Sequence, residues 1–307
     1  MIKILKNIET RMHVPMLDAQ TLTKKEFWNT YVDNNIPCLI KNAIKHWPAS
    51  TKWRDLDYLK KKCGHNIVSQ YPTVNFTGSK EFFSKGILKQ KLSDSIDYIS
   101  TTTDPIVSIP GEPITKNGRF SELRNDIGTF PFLKELSHPI EYPESRFFLY
   151  KNAGTGWHSH PVDETLMCQI SGTKKVGLFS SLNGNFDQIA TLADNEQYFD
   201  GSKFLRNMND ELELSIVTVE EGDALYIPSF YWHAVDTIDS SIGITVARCF
   251  RSPMHKVGNI RYPQVRRLWR TVLRRPSKLT LLVFIFSLLT ITDQILLRIK
   301  RFVKRLI

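Results

Sequence analysis

The chain has 307 residues, of which 41% are hydrophobic and 23% charged, enough to bury one large core or two small ones. An aromatic content of 11% excludes disorder as the dominant state, and four widely spaced cysteines exclude a disulfide framework and predict a reducing compartment. The formal net charge is +10, but residues 251–307 carry +13 and residues 1–250 carry −3, so the body lacks the overall basic charge of a nucleic-acid-binding protein.

The first hundred residues predict short helices around one buried strand. Thr23 is a suitable N-cap for a helix that begins at the next residue. Residues 35–41 run through a proline into apolar residues, which predicts a short buried strand. Two further helices are predicted, one from Asp55 to a stop near Gly64 and one over residues 92–99.

Residues 146–250 predict a different architecture, which is built from strands. Short apolar runs alternate here with Gly, Pro, Asn and Asp, and the clearest runs are residues 147–150, 176–179, 224–227 and 243–247. Short strands at this spacing are typical of an antiparallel sandwich or barrel such as a jelly roll. The predicted fold is therefore mainly β, with N-terminal helices, a β-barrel core over about residues 140–252 and a helical C-terminal tail.

Three histidines in the β-rich region form a candidate metal site. His158 and His160 are two residues apart, so on a strand both imidazoles point to one face. His233 follows 73 residues after His160 and belongs to another strand, which can supply a third ligand. Such a close pair by itself is more often two ordinary polar histidines, but the strand-turn context of His233 favours a metal site. Imidazole suits iron, zinc, copper or nickel.

Several segments of the chain resemble the JmjC/cupin-like family of Fe(II)- and 2-oxoglutarate-dependent oxygenases. The matching segments are residues 36–43, 47–49, 53–59, 154–161, 169–176 and 221–233. The resemblance covers about residues 8–252 and is to the branch that contains the asparaginyl hydroxylase inhibiting hypoxia-inducible factor and the tRNA wybutosine hydroxylase. It implies a double-stranded β-helix (cupin) core, Fe(II), 2-oxoglutarate as cosubstrate, and hydroxylation, with a protein side chain favoured as substrate.

The resemblance also implies roles for individual residues. His158 and His233 would bind the iron, Lys174 and Thr155 would bind the distal carboxylate of 2-oxoglutarate, and Tyr150 would line the same pocket. A lysine is physically suitable, because a dicarboxylate inside an apolar barrel needs a buried cation. Adjacent strand residues face opposite ways, so one of Lys174 and its neighbour Lys175 is expected to be solvated.

One position departs from the family pattern and leaves three alternatives. The family's triad is His-x-Asp followed by a distant His, but His160 stands where the Asp is expected. His160 could be a true third ligand, Asp163 or Glu164 could supply the carboxylate instead, or the site could bind a metal such as zinc without turnover. The first two alternatives predict an oxygenase. The last predicts a catalytically silent metal-binding cupin that acts as a membrane-associated binding module.

After a cupin-like domain over residues 1–260, residues 261–307 predict a basic, apolar helical tail. Residues 279–292 carry no charge, but a spanning helix needs about 20 apolar residues. Basic amphipathic stripes flank this run, as in helices that lie on anionic membranes. No secretory signal follows Met1, so we expect the protein at the cytoplasmic face of a membrane. Dimerisation helices in a homodimer are the alternative, whereas RNA would favour interleaved charge and is disfavoured.

Overall fold

The computed structural model describes Leu5 and residues 12–71, 75–76, 87–133, 138–160, 162–182, 214–238, 241–274 and 276–306. The helices are α1 (Lys24–Glu26, continued by a π-helical turn over Phe27–Val32), α2 (Ala49–Lys52), α3 (Leu56–Cys63), α4 (Leu92–Thr101), α5 (Met254–Val257), α6 (Pro263–Arg274) and α7 (Lys278–Leu306), with a 3-10 helix over Ser121–Asp126.

The described residues contain fourteen strands, and several of them line the site. They are β1 (Met16–Asp18), β2 (Cys38–Lys41), β3 (Ile67–Gln70), β4 (Asn75–Phe76), β5 (Leu88–Lys91), β6 (Val107–Pro113), β7 (Ser145–Lys151), β8 (Gly154–Ser159), β9 (Asp163–Ser171), β10 (Lys174–Ser180), β11 (Ser215–Val219), β12 (Ala224–Ile227), β13 (Tyr231–Thr237) and β14 (Gly243–Arg251).

The N-terminal helices begin where their capping residues predict. The Thr23 hydroxyl accepts a hydrogen bond from the Glu26 N–H at 3.1 Å, and the Asp55 carboxylate accepts one from the Asp57 N–H at 3.0 Å. The predicted buried strand is β2, and the predicted third helix is α4. These local predictions are confirmed, because each depends on contacts within a few residues.

Two sheets form the β core. The larger has the order β1-β2-β12-β9-β14-β7-β6, and the smaller has the order β11-β10-β13-β8-β4. Strands β7, β9 and β14 of the larger sheet and β8, β10 and β13 of the smaller line one cavity between them. This is the mainly β core, with strands in two facing sheets, that the short-strand spacing predicts.

The two faces of β9 show how the core positions the site. Leu166, Cys168 and Ile170 pack with the N-terminal helices in the main hydrophobic cluster. Thr165 and Met167, which alternate with them, line the cavity. The helices therefore cover the outer face of the larger sheet, and its inner face lines the cavity.

The four cysteines are consistent with the expectation that no disulfide framework exists. Cys38, Cys63, Cys168 and Cys249 are all buried and free. Burial raises the pKa of these thiols, so they behave as small apolar side chains in the core.

The C-terminal tail packs onto the β core. Val265 of α6 and Val283 of α7 share a buried cluster with Val162 and Phe230. The apolar side of the predicted amphipathic stripe in residues 261–274 therefore packs against the β core. A domain boundary at residue 260 stays a prediction.

Candidate metal centre

The three predicted histidines lie together in the cavity. His158 on β8 and His233 on β13 are directly opposite each other in an antiparallel ladder, and His160 directly follows β8. One ligand nitrogen from each lies within 4.8 Å of the others. A neighbouring strand thus supplies the third ligand. We call His158, His160 and His233 the histidine cluster.

Hydrogen bonds to Nδ1 leave the other ring nitrogens available. Nδ1 of His158 lies 2.8 Å from the Gly156 carbonyl oxygen, and Nδ1 of His233 lies 3.2 Å from that of Tyr231. A carbonyl oxygen only accepts, so these two Nδ1 atoms carry the proton and each Nε2 keeps a lone pair. Nδ1 of His160 is bonded to a tyrosine hydroxyl at 2.9 Å. Metal-binding histidines are typically oriented by such contacts.

The electrostatic environment keeps the histidine cluster neutral. Burial is the largest cause that lowers the pKa of His158, and it lowers the pKa values of His160 and His233 well below their usual range. Positive charge on His158 and Arg146 also lowers the pKa values of His160 and His233, and positive charge on His233 lowers that of His160. Neutral imidazole is the form that binds a metal, so no proton has to be displaced.

The two neighbouring carboxylates do not join the cluster. Asp163, the predicted fallback ligand, accepts hydrogen bonds from the backbone N–H groups of residues 140–142 at 2.8 to 3.0 Å. Glu164 is fully buried and forms an ion pair with Lys256 at 2.5 Å. In the described part of the chain, the site therefore has three imidazoles and no carboxylate ligand.

Lys174 is a buried cation in the same cavity, whose volume is about 470 Å³. Its side chain is buried, and its Nζ donates to the Thr245 hydroxyl at 2.7 Å and lies 5.1 Å from the centre of the Tyr150 ring. No carboxylate of the described residues forms an ion pair with it, and burial lowers its pKa to about 7. Lys175 is exposed, so the structure distinguishes the two neighbours. An unpaired buried cation favours an anionic ligand.

Lys174 belongs to a polar group that we call the lysine cluster, formed with Tyr150, Gln169 and Thr245. The Thr245 hydroxyl donates to Gln169 Oε1 at 2.8 Å, and Gln169 Nε2 donates to the Tyr150 hydroxyl at 2.8 Å. Thr155 lines the same cavity. Gln169 and Thr245 were missed by sequence reasoning, although the two-residue period of their strands could have placed them inside.

Two further cavity residues carried no signal in the sequence. The Tyr142 hydroxyl is the partner of His160, and the Arg146 guanidinium lies 4.1 Å from the centre of the Tyr142 ring. The guanidinium also lies 5.4 Å from the centre of the Phe148 ring. Contacts with two aromatic rings stabilise this second cation in the cavity.

Comparison with known proteins agrees with this geometry. Residues 24–256 match the cupin-like domain family. The chain belongs to this family. The cupin-like match thus includes the histidine cluster and the lysine cluster, and it ends before α6 and α7.

Two of three similar proteins carry JmjC or JMJ names. The chain is 29% identical over 252 residues to JmjC domain-containing protein D of Dictyostelium discoideum, covering 71% of this chain and 53% of that protein. It is 27% identical over 239 residues to lysine-specific demethylase JMJ30 of Arabidopsis thaliana, covering 73% and 52%. It is 24% identical over 263 residues to human tRNA wybutosine-synthesizing protein 5, covering 76% and 78%. The chain thus spans about half the length of the Dictyostelium protein and of JMJ30.

The residues of this cupin-like domain fit the groups that JmjC oxygenases use, which are Fe(II) and 2-oxoglutarate. Three neutral imidazoles suit iron, and an unpaired buried ammonium suits the distal carboxylate of a dicarboxylate. The comparisons establish the family as a whole, and the specific likeness to the asparaginyl hydroxylase stays a prediction.

Proposed function

We propose that this protein is an Fe(II)- and 2-oxoglutarate-dependent oxygenase that hydroxylates a protein side chain. The observation that carries the proposal is a single cavity with three imidazoles ready to bind a metal and a buried lysine without a carboxylate partner. Neither feature is stabilising by itself, because neutral polar rings and an unpaired ammonium are costly to bury. Together they match one metal and one dianionic cosubstrate.

Different residues of the chain would bind the iron and the 2-oxoglutarate. The histidine cluster would hold the iron, while Lys174 and Thr155 would hold the distal carboxylate, with Tyr150 beside them. When bound, iron and 2-oxoglutarate would activate O2, so that one oxygen atom enters a substrate C–H bond and the other enters succinate as 2-oxoglutarate loses CO2. The buried walls of the cavity exclude bulk water and orient both groups.

A protein side chain is the substrate class that we favour. The name of JMJ30 supports a lysine-containing protein, and that of tRNA wybutosine-synthesizing protein 5 supports tRNA. Residues 1–250 carry a net charge of −3, which opposes the approach of a tRNA phosphate backbone. A cavity of about 470 Å³ is large enough for a cosubstrate and one extended side chain.

The test is an anaerobic visible spectrum of the full chain. The protein is loaded with Fe(II) and titrated with 2-oxoglutarate, and Fe(II) retention is measured separately. We expect a charge-transfer band that requires 2-oxoglutarate. His233→Ala should lose the iron, and Lys174→Met should keep the iron but require far more 2-oxoglutarate. Lys175→Met, an exposed neighbour, is the matched control and should behave as wild type.

Each outcome has a defined meaning. A band with this variant pattern, together with succinate formation in air, supports the oxygenase. Retained iron with no band at any 2-oxoglutarate concentration would contradict it and favour the catalytically silent metal-binding cupin. His160→Ala separates the ligand alternatives, since loss of iron in this variant would support His160 as the third ligand.

A further inference from the structure

Helix α7 has an inverted distribution of polar and apolar residues. Its buried stripe consists of Thr280, Val283, Ser287 and Thr290, three of which carry a hydroxyl. The Ser287 hydroxyl donates to the Val283 carbonyl oxygen at 2.8 Å, so it is satisfied within the helix. A helix on a globular protein normally buries its most apolar stripe. Here the buried stripe is the small, more polar one.

Small side chains on this stripe allow a close approach to the domain. Gly258, just after α5, has no room for a Cβ, which would lie 2.3 Å from both the Phe286 carbonyl oxygen and the Thr290 hydroxyl. Thr290 also contacts the Met254 carbonyl oxygen at 3.5 Å. The inner side of α7 is therefore already occupied by α5, α6 and the β core.

The outer stripe of α7 is apolar and exposed along its length. Its large side chains whose burial the structure describes are between 45% and 58% exposed: Leu281, Ile285, Leu288, Leu289, Ile295, Leu296, Ile299 and Val303. They recur at helical spacing from Leu281 to Val303, a rise of about 33 Å at 1.5 Å per residue step. A continuous apolar stripe of this length that is exposed to solvent indicates an apolar partner.

Charge decides which partner covers this stripe. Residues 251–307 carry 14 basic residues and one acid, and Arg270, Arg274 and Lys278 are exposed close to where the stripe begins. Two copies of this chain joined through α7 would bring two strongly positive tails together, which is unfavourable. An anionic lipid surface attracts the same charges and accepts the apolar side chains.

We propose that the outer stripe of α7 inserts into the surface of an anionic membrane, with the helix parallel to the bilayer plane and the β core held on the surface. The segment Lys278–Leu296 is long and apolar enough to cross a membrane, but its inner side is packed against the domain. Spanning would require these contacts to separate, whereas lying on the surface leaves them intact. This proposal does not depend on the oxygenase activity.

Sedimentation of the full chain with lipid vesicles tests the proposal. The probes are phosphatidylcholine vesicles with and without phosphatidylserine. We expect binding only with phosphatidylserine, weakened by high salt and reduced at least about tenfold in Leu281→Gln/Ile285→Gln. The matched control is Ile67→Gln/Leu88→Gln on β3 and β5, with similar exposures of 45% and 50%, and it should bind as wild type.

Three kinds of result would overturn the proposal. The first is a failure of the vesicle assay, either because wild type binds neither vesicle or because both double variants lose vesicle binding equally. The second is a wild-type dimer in light scattering that Leu281→Gln/Ile285→Gln dissociates without any vesicle binding, which would assign the stripe to a second copy. The third is protein that resists extraction by alkaline carbonate, which would assign a spanning helix. A denaturant-unfolding midpoint equal to that of wild type shows that the double variant is folded.

Discussion

Two lysines are buried in different surroundings, Lys256 on α5 and Lys174 on β10. Lys256 is 2% exposed, and its Nζ lies 2.5 Å from the Glu164 carboxylate and 3.1 Å from the Val32 carbonyl oxygen. Lys174 is 3% exposed, and its Nζ donates only to the Thr245 hydroxyl among the described residues. Burial lowers the pKa of both, but only Lys256 has a carboxylate that opposes the effect.

The difference separates a structural charge from a functional one. A buried ion pair inside the chain is complete, so breaking it destabilises the fold. A buried cation facing a cavity without an anion destabilises the free protein and becomes favourable when an anion binds. The predictions below treat Lys256 as the first kind and Lys174 as the second.

The largest effect is expected where the complete pair is broken. Glu164→Leu should lower the free energy of unfolding by about 3–5 kcal/mol, because Lys256 is left buried without a counter-charge. Denaturant unfolding measures the change. The double variant Glu164→Leu/Lys256→Met should recover most of the loss, and equal stabilities of the single and double variants would contradict the assignment.

The corresponding change at Lys174 should affect binding instead of folding. Lys174→Met should weaken 2-oxoglutarate binding by about 3 kcal/mol, roughly a hundredfold, without lowering the free energy of unfolding. Titration of the iron-loaded protein measures the first quantity and denaturant unfolding the second. A large loss of stability in this variant would make Lys174 a structural residue like Lys256.

Stability and 2-oxoglutarate binding should depend on pH in opposite directions through Lys174. The folded pKa of Lys174 is about 7, below its unfolded value, so the unfolded chain holds more protons between these values. Its contribution to stability therefore increases as the pH rises above about 7. Binding of 2-oxoglutarate needs the ammonium form and should weaken by about tenfold per pH unit over the same window. Lys174→Met should lose this slope, and an unchanged slope in that variant would contradict the assignment.

A smaller effect is expected at the hydroxyl that supports the lysine. Thr245→Val removes the hydrogen bond to Lys174 and the bond to Gln169 while keeping the side-chain shape. We expect about 1 kcal/mol of weaker 2-oxoglutarate binding, roughly fivefold, measured by the same titration. Thr280→Val, which changes the same group on the buried side of α7, is the control and should not affect binding.

Much of this protein was predictable from short-range patterns. Thr23 and Asp55 mark helix starts, because a capping side chain bonds to backbone only two or three residues away. His158 and His160 share one side of the chain, because side chains repeat every two residues along a strand. The apolar run after residue 278 predicts a helix for a similarly local reason.

Only the tertiary structure decided which of these groups act together. The sequence left Asp163, and next to it Glu164, as alternatives to His160 as the third ligand. In the structure Asp163 instead accepts hydrogen bonds from the backbone of residues 140–142, and Glu164 pairs with Lys256. Thr245 meets Lys174 across 71 residues of chain. The exposed side of α7 also depends on where α5 and the β core pack against it. Such contacts depend on strand order and packing between distant segments, which no pattern within a few residues encodes.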